Sequence, residues 1–148
     1  MRIGKAAAVA GLLVAAGCIS IVGGGDDDDE YRRAQTYAAS YDATWQAVLR
    51  SFAELDLPIA TVERESGLVA TDWILVSRAD ERMDCPEDAR QPEMRFNVLV
   101  EEEGSARTRV TITSGARALD EDGVLQRCTS TGALERAIQR RVARRVEG

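Results

Sequence analysis

The sequence predicts an α+β domain: an antiparallel sheet of four to five strands with two helices on one face, in the order β-α-β-β-β-β-α. Three observations carry this reading. Apolar residues recur at helical spacing twice, over residues 43–55 and 132–146. Residues 94–102 and 107–114 alternate apolar and polar side chains around a Glu103-Gly104-Ser105 turn, as the two arms of an antiparallel hairpin do. A sheet with one apolar face needs cover, and the two helical stretches are the only good source of it.

Taken in order, residues 33–40, containing Gln35-Thr36-Tyr37, read as a first strand. Asp42 is placed to cap a helix whose inner face carries Trp45, Val48, Leu49, Phe52 and Leu55. Arg50 and Glu54 stand four apart on its outer face, a spacing at which opposite charges pair. Pro58 stops this helix, and residues 59–63 read as a strand. Glu65-Ser66-Gly67 is a turn in which Gly67 supplies positive φ. Residues 68–76 read as one longer strand, apolar on both sides, so the pattern leaves its core side open. Residues 77–92, with Pro86 and Pro92, read as a long loop, and 116–130 as a second. The hairpin turns Met94, Phe96, Val98, Val100, Thr108, Val110 and Ile112 inward, and Arg95, Asn97, Glu101, Arg107, Arg109 and Thr111 outward. Glu101 and Arg109 are candidates to pair across it, worth under about 1 kcal/mol. In the last helix Leu134, Ile138, Val142 and Val146 recur every four residues, with Arg136, Arg140, Arg141, Arg144 and Arg145 on the other faces. An aliphatic stripe is what packing on a sheet requires; a basic amphipathic helix is also what anionic lipid or an acidic partner would meet.

The first residues read as an export signal. Arg2 and Lys5 precede a short apolar run, residues 6–16, too short to span a bilayer as a helix. Ala15-Ala16-Gly17 then sets small residues before Cys18, as in the lipobox of a bacterial lipoprotein. Residues 1–17 are thus the expected signal peptide and Cys18 the expected lipidation site, through its sulfur. Multiple acyl chains would anchor the protein to membrane. Gly23-Gly24-Gly25 and the run Asp26 to Glu30 make residues 18–33 a flexible, self-repelling tether, spanning roughly 20–25 Å as a coil. Consecutive aspartates lack the alternation of a calcium loop, so no metal site is expected there. Residues 34–148 then form a single domain. Ile19 after the cysteine points to the outer membrane, facing the periplasm, under the enterobacterial sorting rule.

The net charge is −6; without Arg2 and Lys5, 17 basic residues face 25 acidic ones and it becomes −8. That balance argues against a nucleic-acid partner. If Cys18 is lipidated, Cys85 and Cys128 remain, and in an oxidising compartment they can pair as a structural disulfide. Two free thiols, or a redox or metal pair, are the alternatives; no CxxC and no histidine is present to support the latter. The same lack of histidine removes the commonest general base. Ser66 sits in no GxSxG motif, so no enzyme and no cofactor is expected.

Three segments carry a resemblance: Tyr41-Asp42-Ala43-Thr44-Trp45-Gln46-Ala47-Val48, then Leu55-Asp56-Leu57-Pro58-Ile59, then residues 63–73 from Glu63-Arg64-Glu65-Ser66-Gly67 to Trp73. They resemble the repeat domain of the BamC (NlpB) lipoproteins of the outer-membrane β-barrel assembly machine. The likeness covers residues 35–76 and implies a helix-grip-like fold. It also implies a non-enzymatic scaffold or accessory factor in envelope assembly, with an envelope protein as partner. The family has two such domains where this chain has room for one, and the long partner-binding N-terminal segment is replaced here by the short tether. The other function the fold would allow is a small-ligand or lipid carrier, with a cavity between helices and sheet. The core volume decides between them: Trp45, Phe52, Trp73, Phe96 and the Leu134/Ile138/Val142 stripe are expected to fill it.

Overall fold

The computed structural model describes residues 31–77 and 79–148. The expected signal segment, Cys18 and most of the tether lie outside the described residues. The elements run β1 (Tyr31–Tyr37), α1 (Tyr41–Glu54), β2 (Thr61–Glu63), β3 (Leu68–Ala70), β4 (Ile74–Leu75), the single turn α2 (Ala79–Arg82), β5 (Met83–Asp84), β6 (Arg90–Glu102), β7 (Thr108–Leu119), β8 (Leu125–Ser130) and α3 (Ala133–Val146).

The hairpin of β6 and β7 is the centre of the molecule, and every strand pairing is antiparallel. At 13 and 12 residues, these two strands are long enough to serve two neighbours each in succession. β7 pairs first with β1, from Tyr37↔Thr108 to Tyr31↔Ser114, and then with β8, from Ala116↔Cys128 to Leu119↔Leu125. On its other side β6 pairs with β4 (Ile74↔Met94) and with β3 (Leu68↔Leu99). β2 adds to β3, and β5 to β8. The sheet therefore has eight strands, not the four to five expected, and its order is not β-α-β-β-β-β-α.

The missed strands have physical reasons. Residues 116–130 looked like a polar loop because the residues they turn inward are small: Ala116, Ala118, Cys128 and Ser130 are all buried. The continuous strand expected over 68–76 is broken at Thr71. There the Thr71 N–H donates to the Phe96 carbonyl at 3.0 Å, and its Oγ1 accepts from the Phe96 N–H at 3.0 Å. One threonine thus bridges the gap between β3 and β4. The turn from β7 to β8 is closed by Asp120, whose carboxylate accepts from the Val124 and Asp122 N–H groups. The Val124 bond above all holds that carboxyl below its usual range.

Both long helices lie on one face of the sheet. α1 is capped by Ser40, whose Oγ accepts from the Ala43 N–H, and not by Asp42, which instead pairs with Arg64. Its C-terminus is a Schellman turn. Asp56 takes the left-handed conformation (φ 54°), and the Leu57 N–H returns to the Phe52 carbonyl at 3.0 Å. The helix buries Trp45, Val48 and Phe52, and Phe52 meets Phe96 edge-on. α3 buries Leu134, Ile138 and Val142. Glu54 does not pair within α1; it takes Arg141 and Arg145 of α3, tying the two helices together. Gly67 is where its turn was expected, at φ 72°, with its carbonyl accepting from the Val100 N–H at 2.9 Å.

Candidate interaction face

The helices cover the face bearing Phe96, Val98, Val110 and Ile112, all fully buried. The opposite face of β6 and β7 carries Glu93, Arg95, Asn97 and Glu101 beside Arg109, Thr113, Gly115 and Arg117. Register explains its main feature. Arg95 lies opposite Gly115, and Glu93 opposite Arg117. Gly115 has no side chain, and Trp73, entering ahead of β4, fills the vacancy: a Cβ on Gly115 would stand 3.2 Å from its ring. Arg117 and Arg95 then place their guanidinium carbons 4.1 and 4.9 Å from the indole centroid. Arg117 is held by an Nε–H bond to Glu93 at 2.7 Å. Each cation–π contact is worth about 0.5–1 kcal/mol when exposed. The result is a partly buried indole clasped by two cations on the open face, beside the exposed Leu75. Trp73 is therefore not in the core, where the sequence placed it.

Cys85 and Cys128 come together, Sγ to Sγ at 2.03 Å, linking the loop after β5 to β8. Cys128 lies on a strand and is buried, not in a loop. Around Cys85 opens a cleft of about 400 Å³ of mixed polarity, lined by Ala79, Met83, Asp84, Pro86, Ala89 and Pro92. Ser66 sits on an exposed turn and donates only to Glu63. Glu101 faces Arg109 in register, but the ion pair there is Arg109–Glu103 at 2.9 Å.

The sequence missed a buried polar seam under α3. Ser114 and Ser130 both donate to Glu135 Oε1, the latter at 2.6 Å, and Ser130 Oγ accepts from the Gly132 N–H. Glu135 is fully enclosed, so the seam holds the first turn of α3 on β7 and β8. Tyr37 donates to the Gln139 carbonyl, and burial pushes its phenol well above the usual range. The only forewarning was a glutamate on the apolar side of the last helix. Among the described residues no group of three or more His, Cys, Asp or Glu is placed to hold a metal. No described helix is long and apolar enough to cross a membrane.

Comparison of the chain with protein-family models and with curated proteins finds no match.

Proposed function

We propose that this protein is a non-enzymatic lipoprotein, tethered through Cys18 to the outer membrane and facing the periplasm. It would act as a scaffold or accessory factor in envelope assembly, on a helix-grip-like domain of the kind its sequence resembles. One observation carries the reading: both helices cover the same side of the sheet, leaving the other side bare around the Trp73–Arg95–Arg117 clasp. Tryptophan and arginine are the residues in which interface energy concentrates. The packing beneath the helices favours a scaffold over a small-ligand carrier, since Trp45, Phe52, Phe96, Ile138 and Val142 are buried between helices and sheet.

The test is in-cell crosslinking from a photoreactive residue at position 97, exposed on the same face beside the clasp, followed by capture and mass spectrometry. A β-barrel assembly protein is expected in the captured fraction. Trp73→Ala should weaken its recovery roughly 30-fold, the scale of a 2 kcal/mol interface anchor. Capture of no envelope protein, or capture indifferent to Trp73→Ala, would reject the sheet face as the working surface.

A further inference from the structure

A second surface lies on the other side of the molecule, where β1 meets α3. A cleft of about 140 Å³ is lined there by Arg33, Gln35, Arg136, Gln139, Arg140 and Ala143. Three guanidinium groups border one small space on a chain whose net charge is −6. Among the described residues none of the three joins an ion pair. Among the described residues the ion pairs of α3 are Arg141–Glu54 and Arg145–Glu54, both toward α1. Arg33 instead donates to Gln139 Oε1, and Arg136 to the Thr131 carbonyl at 3.1 Å. The acidic residues of this helix and its C-cap, Glu135 and Glu147, do not line the cleft. Arg136 and Arg140 stand four apart, a spacing at which like charges repel.

An independent feature points to a ligand. Gln139 is 3% exposed, and its Nε2 is buried without an acceptor, although Oε1 is bonded. Buried amide donors are nearly always paired. The space is well below the roughly 300–1,000 Å³ of sites for drug-sized molecules, so it suits a single charged group. Three guanidiniums and an amide outnumber the two oxygens of a carboxylate. A phosphate offers more oxygens and more charge, and guanidinium forks match its geometry.

We propose that the β1–α3 cleft is a phosphate-binding site, with Arg136 and Arg140 supplying the charge, Arg33 a third cation and Gln139 Nε2 a neutral donor. The phosphate comes either free or as a lipid headgroup. The experiment titrates the purified protein with inorganic phosphate by calorimetry and, in parallel, measures co-sedimentation with phosphatidylglycerol against phosphatidylcholine vesicles. Saturable binding of free phosphate assigns the free source. Binding confined to phosphatidylglycerol assigns the headgroup. In either arm the double substitution Arg136→Gln/Arg140→Gln should weaken binding roughly tenfold or more, the scale of losing a charge-assisted bond, and Gln139→Met should weaken it less. Arg144→Gln, outside the cleft lining, should leave it within about twofold. Circular dichroism melts check that each variant is folded. The proposal is overturned if neither phosphate up to about 10 mM nor phosphatidylglycerol binds. It is equally overturned if Arg144→Gln costs as much as the double substitution, which would mean diffuse charge and no site.

Discussion

Reduction of the Cys85–Cys128 link should destabilise the domain by an amount its sequence separation sets. The two cysteines are 43 residues apart. Closing a loop of that size removes about 13 cal/mol/K from the unfolded chain, or about 4 kcal/mol at 25 °C. For a domain of this length, 1 kcal/mol shifts Tm by about 3–4 °C, so full reduction should lower Tm by roughly 12–16 °C. The effect acts on the unfolded state, and that gives a second signature. The reduced chain expands further on unfolding, so its urea m-value should rise while its native circular dichroism stays unchanged. The assay is paired urea and thermal unfolding of oxidised and reduced protein, with thiol content verified by mass. Cys85→Ser/Cys128→Ala should match the reduced wild type, alanine being used at 128 because a serine there would bury a hydroxyl. A Tm shift under about 3 °C at full reduction would refute the loop-closure reasoning. So would non-reducing peptide maps showing two free thiols.

Three further outcomes follow from individual residues. Gly67→Ala should cost at least about 2 kcal/mol, because φ is 72° and a Cβ would stand 2.1 Å from the Val100 carbonyl oxygen; a lower urea midpoint at unchanged m reports it. Asp56→Gly should raise Tm, by up to about 1 kcal/mol in stability, because it relieves a left-handed non-glycine residue in the α1 Schellman turn. The Tyr37 phenol is raised by burial, so the unfolded chain loses its proton first; stability present below about pH 10 should fall as pH rises beyond it. Tyr37→Phe should flatten that alkaline limb in pH-dependent unfolding, at a cost of about 1 kcal/mol near neutrality for the lost hydrogen bond.

Periodicity served well wherever large side chains marked the inward positions. Trp45, Val48 and Phe52 located α1; Leu134, Ile138 and Val142 located α3; Phe96, Val98, Val110 and Ile112 located the hairpin. It failed where inward residues are small or polar. Ala116, Ala118 and Cys128 carry little hydrophobic signal, so the second half of β7 and all of β8 read as loop. Trp73 misled in the opposite direction. Its size argued for the core, but its neighbours in register, Gly115 with Arg95 and Arg117, make a seat for it on the open face. No local pattern could reveal that seat, because it is assembled from two strands and the segment entering β4. The Arg33–Arg136–Arg140 cleft was hidden for a similar reason: its helical arginines and the first strand were both legible, but the pairing of that strand with β7, which sets it beside α3, was not.

The placement of β1 has a consequence for how the chain acquires its fold. Tyr37 pairs with Thr108 and Tyr31 with Ser114, so this first strand finds its partner 71 to 83 residues later. On the proposed reading the chain reaches the periplasm N-terminus first, so β1 arrives there before β7 is present to receive it. During that interval its unpaired backbone and the apolar side of α1 are open to other chains. Chaperone demand should therefore be highest before the hairpin is made, and should fall sharply once it closes.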